Sequence, residues 1–453
     1  MDKNTMYRLY TAVFVGVCLI PSVLMPVIKG DSSKEKRVLA EKPHIKNEDG
    51  SLNFSFFKEF DDYFSEHFAF RQPLVTADGR MKSALLGTSP DSDVIVGKNG
   101  WLYYGETADD YLNINTLSER AINNICHNLD LVEKYCEQNN IDFTFFSAPN
   151  KNTVYPENMP FNYIPSESKD NLERISEKLA DREYFLDMKN VLLSAESNIP
   201  LYHKTDTHWN NLGAYVGHVG IMNKLGRESC SSGTSWHSEN NRLGDIAAMI
   251  YPSEKAKDTQ IYNDYEFKYS YLGHFRGLDD ISINTQNSEG NGQLTMFRDS
   301  YGEAILPYMA ECFESAEFLR SVPYNISTLS DRTLIIEIVE RNLGNLQKYA
   351  PVMSAPKAEI PMGAELYVAN GSEIHSETNG SFTHIFGEIP DYIKSDDIRI
   401  FITIGVNSYE AFNCFEDRLL KREGETSDRG FSLYIPNDEK TDISDITVSV
   451  MYN

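Results

Sequence analysis

The chain has 453 residues, of which 41% are hydrophobic and 24% charged, and its formal net charge is −25. That length exceeds one ordinary core and predicts two or three domains, while the composition excludes a disordered, collagenous or coiled-coil chain. The excess of 67 acids over 42 bases sets the chain against nucleic-acid backbones, whose binding draws on clustered Lys and Arg that release counterions.

From the N-terminus, Leu9 to Ile28 runs uncharged for 20 residues, enough at helical rise to cover a bilayer's hydrocarbon core of roughly 30 Å. No small-x-small cleavage site is evident at its end, so a single-pass anchor is expected over a cleaved signal, with residues 1–40 as anchor and linker. Flanking charge points the other way on topology: Lys3 and Arg8 precede the run, whereas Lys29, Lys34, Lys36 and Arg37 follow it, which would keep the body cytoplasmic. Phe54 to Phe70 reads as an amphipathic helix rich in aromatics and acids. Its acidic polar face favours packing on the main domain over lying on a membrane. Val94–Val96 and Trp101–Tyr104 flank Asn99-Gly100 and read as a β-hairpin.

Helices and strands then alternate. Ser118 caps a helix with Ala121, Ile122, Ile125, Leu129 and Val132 on one face, and a strand at Ile141–Phe146 follows. A helix through Leu172, Ile175 and Leu179 leads to a strand at Tyr184–Met188, and another helix spans about Asn210–Leu225. Strands at Gln293–Phe297, Glu317–Arg320 and Thr333–Val339 complete the series. Such alternation predicts a parallel sheet flanked by helices, with its site beyond the strands' carboxyl ends. Gly226 to Gly292 interrupts the pattern as a polar, irregular insertion, expected to be a lid, a substrate wall or a mobile segment, and contains Gly244-Asp245-Ile246-Ala247-Ala248-Met249. Past Pro351, short strand-like runs at 366–368, 382–386, 398–404, 431–434 and 446–451 predict a C-terminal β-sandwich over residues 351–453.

Six cysteines at 18, 126, 136, 230, 312 and 414 show no CxxC or metal spacing, so free thiols are the default, with long-range pairs as the alternative. Chemistry concentrates at two other places. Ser300 directly follows the strand Gln293–Phe297 and opens a helix, where free backbone N–H groups surround its hydroxyl; the plain alternative is an N-cap. In Asp206-Thr207-His208-Trp209 a base and a carboxylate that can orient it lie two residues apart before a helix, again with capping as the alternative. As metal ligands the two make a poor site without a further His or Cys motif, and neither a metal nor a cofactor is implied.

Five stretches occur in order: Gly97-Lys98-Asn99-Gly100-Trp101-Leu102-Tyr103, the run Ala148 to Pro156, Thr205 to Trp209, Arg298-Asp299-Ser300-Tyr301 and Ile336 to Arg341. Together they resemble the alginate O-acetyltransferase component and DHHW family, SGNH-hydrolase-like proteins in circularly permuted order. The resemblance implies Ser300 as nucleophile, His208 as base and Asp206 as its orienter, on a catalytic domain spanning 41–350. Asn150, Lys151, Tyr155, Arg298 and Tyr301 are candidates for the oxyanion or the sugar, with turns and packing as their alternatives. Glu340 and Arg341 read as an ion pair. The resemblance further implies acetyl transfer to a cell-surface or secreted polysaccharide, an extracytoplasmic domain against the charge count, and a multi-pass membrane O-acyltransferase as partner. A carbohydrate acetylesterase with the same residues, a non-catalytic polysaccharide-binding component and an anchored scaffold whose β module binds a protein are the alternatives.

Overall fold

A computed structural model describes residues 2–28, 39–47, 49–232, 235–255, 257–415, 419, 427–437 and 446–452. At its centre is a six-stranded sheet in the order Asp142–Ala148, Thr333–Val339, Gln293–Phe297, Ser315–Leu319, Ser282–Gln286 and Ser270–Leu272. The first four strands are mutually parallel. The last two, supplied by the polar insertion, pair antiparallel, so the sheet is mixed and not the parallel sheet expected. The alternation Ser-Ile-Asn-Thr-Gln buries only Ile283 and Thr285, which is how a strand covered on one face reads.

Thr333–Val339 is buried throughout, and its alternation divides it between two cores. Leu334, Ile336 and Ile338 meet Ile122, Ile125, Leu129 and Val132 of the helix Glu119–Gln138. Ile335 and Val339 join a second cluster with Ala214 and Ile221 of the helix Asn211–Lys224 and Ile305 and Met309 of the helix Gly302–Cys312. Ser118 caps its helix as expected, its Oγ accepting from Ala121 N at 3.0 Å. The hairpin also forms, Val96 opposite Leu102, with Asn99 at φ 56° and Gly100 at φ 79° in the left-handed region that Asn-Gly supplies.

Four expectations are corrected. Tyr184–Met188 makes only a single bridge, Phe145 to Phe185, because Asp187 ends the extended run by capping the helix Met188–Leu193. The helix Phe56–His67 buries no residue, and Phe57 is 84% exposed; its rings stack along the helix, Phe56 on Phe60 on Phe64 on Phe68, and not into the main domain. Cys230 and Cys312 form a disulfide, whereas Cys126, Cys136 and Cys414 are buried and lie outside any disulfide among the described residues. The insertion is ordered: a ribbon of Trp236–Arg242 and Asp258–Asn263 encloses a short helix, Asp245–Ile250.

After residue 351 lie two antiparallel sheets. One has the order Tyr367–Val368, Ile446–Tyr452, Ile398–Ile404 and Asn407–Ala411; the other runs Glu373–Asn379, Phe382–Glu388 and Gly430–Pro436. Ile400, Ile402 and Val448 of the first share an apolar cluster with Ile385, Phe431 and Leu433 of the second. This region joins the α/β part through polar groups of the Glu119–Gln138 helix. Arg120 Nε donates to Ser395 O at 2.8 Å, and Asn128 and Asn413 bond reciprocally at 3.1 and 2.8 Å. At the other end, Lys3–Leu24 is a 22-residue helix, long and apolar enough to cross a membrane and capped by Asp2. The basic residues read after the apolar run, Lys29, Lys34, Lys36 and Arg37, lie outside the described residues.

Candidate active site

The loop from His203 to Asn210 crosses the carboxyl edge of the sheet. Its base is narrow: Tyr202 bridges Trp209, and Asn210 Oδ1 caps the following helix by accepting from Leu212 N and Gly213 N. Gly213 is needed here, since a Cβ would stand 2.2 Å from Leu201 O. Trp209 Nε1 donates to Tyr301 O at 3.0 Å, tying this loop to the turn that carries Ser300.

That turn is fixed by Asp299. Its N–H donates to Glu337 Oε2 at 2.9 Å, and its carboxylate accepts from Tyr301 N at 2.8 Å and from Val339 N at 2.7 Å, so the ends of two neighbouring strands are locked together. Ser300 therefore stands at the sheet's carboxyl edge, one residue before a helix N-cap. Among the described residues, no acceptor meets its backbone N–H.

Ser300 Oγ lies 2.9 Å from His208 Nε2, and His208 Nδ1 lies 2.7 Å from Asp206 Oδ1. Asp206 is 1% exposed and the imidazole 20%, an arrangement in which one side of the ring is dry and the other open to a reactant. Burial opposes charge on His208, but the hydrogen bond and charge of Asp206, with Asp245 and Glu303 nearby, outweigh it and raise its pKa. Burial likewise opposes the Asp206 carboxylate, yet His208, Arg242 and His203 hold it well below the usual carboxylate range. A Ser–His–Asp relay of this geometry can remove a hydroxyl proton as oxygen attacks a carbonyl and return it to a leaving group.

Of the other residues singled out in the sequence, Tyr301 packs against the imidazole of this relay. Its ring centroid is 4.9 Å from that of His208, but the ring is 1% exposed and its hydroxyl donates to Thr207 O at 2.7 Å, so it walls the imidazole and offers no face to a sugar. Lys151 stands behind the loop, Nζ donating to the carbonyls of His203, Lys204 and Asp206 at 3.1, 3.1 and 2.6 Å. Burial lowers its pKa to about 8 against the pull of Asp206, Asp245 and Asp258. Asn150 is fully buried, its N–H held by Glu340 and its Nδ2 by Asp110. The Tyr155 hydroxyl accepts from Leu201 N while its ring packs 4.8 Å from Trp101. Arg298 turns away, donating to Asp299 O and Leu278 O. The contacts of these four are thus made within the protein, to the loop, the strand ends and neighbouring rings. Glu340 and Arg341 do not form the expected pair: Glu340 accepts from Asn150 N and Thr153 Oγ1, while Arg341 lies 5.8 Å over the Tyr301 ring.

Residues of the insertion complete the surroundings. Arg242 Nε and Nη2 reach Asp206 Oδ2 at 3.1 and 2.7 Å, and Asp245 N donates to the same oxygen at 3.3 Å. Asp245 in turn accepts from Thr207 N and Oγ1 at 2.8 and 2.6 Å. Sequence reading places Asp245 only inside an irregular insertion, and no local motif distinguishes Arg242. Asp206, His208 and Asp245 form the one group among the described residues whose ligand atoms lie close enough for a metal ion, within 4.8 Å. Their oxygens already accept from Arg242, His208, Thr207 and backbone N–H groups, so proton sharing accounts for the cluster.

A helix-flanked α/β sheet thus carries this constellation at its carboxyl edge. Residues 94–269 match the family model for the SGNH hydrolase-like domain of acetyltransferase AlgX, in agreement with the resemblance read from the five motifs. The matched stretch contains Asp206, His208, Arg242 and Asp245 and ends before Ser300. Among solved structures, the chain is similar to Bacillus cereus PatB1 at 15% identity and TM-score 0.44, over 55% of this chain and 96% of that one. It is also similar to a DHHW family protein from Eubacterium siraeum, at 16% and 0.41 over 56% and 96%. The O-acetyltransferase domain of Pseudomonas putida AlgJ follows at 15% and 0.38, over 55% and 92%. No curated protein matches the chain.

Proposed function

We propose that this protein transfers an acetyl or similar acyl group to a hydroxyl of a cell-surface or secreted polysaccharide, with Ser300 as nucleophile, His208 as general base and acid, and Asp206 as orienter. The observation that carries the reading is the continuous contact from Ser300 Oγ to His208 Nε2 at 2.9 Å and from His208 Nδ1 to Asp206 Oδ1 at 2.7 Å. The match of residues 94–269 to an acetyltransferase domain supports it.

In this mechanism Ser300 Oγ bonds to the donor's acyl carbon as its proton passes to His208 Nε2. The carbonyl oxygen becomes an oxyanion facing the open Ser300 N–H. The bond to the leaving group breaks, and His208 returns the proton to that group. A sugar hydroxyl then attacks the acyl-serine, giving its proton to His208, and collapse restores Ser300 with the ester on the sugar. With water in place of the sugar the same steps make an acetylesterase.

The Lys3–Leu24 helix is read as a single-pass anchor for an extracytoplasmic catalytic domain over residues 41–350, with 351–453 as a β-sandwich module. A multi-pass membrane O-acyltransferase would supply the acyl group across the bilayer.

The test is release of nitrophenol from p-nitrophenyl acetate by the full chain purified in detergent, wild type against Ser300→Ala and His208→Ala. Both variants are expected at background, and acetylated glycan is expected when acceptor polysaccharide is added. Equal rates in all three proteins would remove the catalytic reading; hydrolysis without transfer in the presence of acceptor would make the protein an esterase.

A further inference from the structure

The insertion that interrupts the α/β alternation is bonded into the Asp206–His208 loop and does not cover it as a lid. Thr205 N and Oγ1 donate to Asp258 Oδ2 at 2.6 and 2.7 Å, and Thr205 O accepts from Ala247 N at 3.0 Å. Gly244 presses on the same residue so closely that a Cβ would lie 2.0 Å from Thr205 O. Between these contacts the ribbon Trp236–Arg242/Asp258–Asn263 breaks register between Glu239 and Arg242. An irregularity of this kind turns a side chain out of the ladder's alternation, as bulges beside functional sites do. Here the redirected side chain is Arg242, whose two nitrogens close on Asp206 Oδ2.

Asp206 thus has its two oxygens divided between two tasks. Oδ1 accepts from His208 Nδ1 at 2.7 Å and from His208 N at 3.1 Å; Oδ2 accepts from Arg242 and from Asp245 N. We propose that Arg242 is the positioning residue of this site, holding the outer oxygen of Asp206 so that the inner one stays turned to His208. The inference rests on the acyl-transfer reading of Ser300, His208 and Asp206, and it assigns the insertion a part in the chemistry. A carboxylate rotates about its terminal bond unless both oxygens are engaged. The planar guanidinium fork engages one oxygen from two nitrogens, which a lysine ammonium does not reproduce.

A second consequence is electrostatic. The charged and titratable groups facing His208 and its loop are Asp206, Asp245 on the short insertion helix, Glu303 on the helix after Ser300, Asp258 bonded to Thr205, His203, Lys151 beneath the loop and Arg242. Asp206, Asp245 and Glu303 favour the imidazolium. Arg242 is the cation bonded directly to the Asp206 carboxylate, and it limits how strongly that carboxylate holds the imidazole proton.

The experiment replaces Arg242 by Gln and by Lys in the full chain purified in detergent with ring-labelled histidine. It measures the His208 ring titration by NMR, identified by its absence in His208→Gln, and the pH dependence of p-nitrophenyl acetate hydrolysis. Arg242→Gln is expected to move the ring titration and the acid limb of the rate profile upward together, by roughly half a unit to one unit, with kcat at the plateau about tenfold lower. Arg242→Lys keeps the charge and loses the fork, so its limb stays with wild type while kcat falls. An unmoved ring titration in Arg242→Gln overturns the proposal. Should that variant fail to fold, wild-type kcat in Arg242→Lys overturns it as well. Failure of the acyl-transfer reading shows separately, as hydrolysis that survives Ser300→Ala, and the ring titration still reports on Arg242 in that event.

Discussion

Glu410 offers a quantitative test of how the β-rich region is joined to the α/β part. It lies on the strand Asn407–Ala411 with a side chain only 1% exposed, yet it accepts from both arms of Arg399 and sits 3.1 Å from His127 Nε2, the histidine belonging to the Glu119–Gln138 helix across the junction. Burial opposes its charge, but Arg399 and His127 outweigh burial and bring the pKa down to about 2 from an ordinary 4.5. A folded-state pKa below the unfolded one means stability that is fully present above the unfolded value and lost as pH falls through the folded value. At about 1.4 kcal/mol per unit, the shift corresponds to about 3 kcal/mol at pH 7, shrinking to about 1 kcal/mol at pH 3. A similar figure follows from removing one partner of a buried ion pair, about 3–5 kcal/mol. Glu410→Gln should therefore unfold in less urea than wild type at pH 7, the gap narrowing as both are titrated from pH 5 to pH 3 under far-ultraviolet circular dichroism. A gap that stays constant with pH, or none at pH 7, would refute the assignment of this carboxylate as a charged clasp.

Two other perturbations test the loop under the site. Gly244→Ala places a methyl against Thr205 O and is expected to displace the Asp206–His208 loop, cutting p-nitrophenyl acetate hydrolysis at least about tenfold while far-ultraviolet dichroism stays that of wild type; unchanged activity would show that the insertion moves freely. Lys151, depressed to about 8 from 10.5, leaves the unfolded chain holding more protons between those values, so stability should rise with pH across that window by up to about 3 kcal/mol. Lys151→Met should lack that rise in urea titrations at pH 7.5 and pH 10, and an identical slope in both proteins would sink the argument.

How much of the site is legible in the sequence follows from where its bonds run. Ser300 and His208 stand next to strong punctuation, one following the apolar run Gln293–Phe297 and the other preceding a capped helix, so position offers them as candidates while helix capping explains each equally, and it is the five ordered motifs together that give them roles. The strands Gln293–Phe297 and Thr333–Val339 are readable to the residue because burial on both faces leaves a nearly continuous apolar run. Where one face meets solvent the signal fades. Glu373–Asn379 has no buried residue, and Ser270–Leu272 is three residues long, so neither stands out from its surroundings. Lys151 is misleading in sequence because a lysine beside a strand end looks available, and only the structure shows three carbonyls converging on it. The Phe56–His67 helix has the period of a packed helix, but the same i, i+4 spacing lets its rings stack on one another.

Arg242 shows why a polar insertion conceals function from sequence reading. A nucleophile and its base must sit on rigid strand and helix ends, and those ends carry periodic apolar patterns. The group that restrains the third member has no such requirement. It needs only to arrive from outside the sheet with a charge, and here it arrives on a ribbon whose strand Trp236–Arg242 has no buried residue at all. Nothing in a pattern of burial could therefore mark it. What could is stoichiometry: a buried Asp that orients a His has a second oxygen to satisfy, and in a chain with 67 acids and 42 bases a cation must be brought to it from somewhere. The insertion between Gly226 and Gly292 supplies that cation while also adding two strands to the central sheet, so one segment serves both the site and the fold.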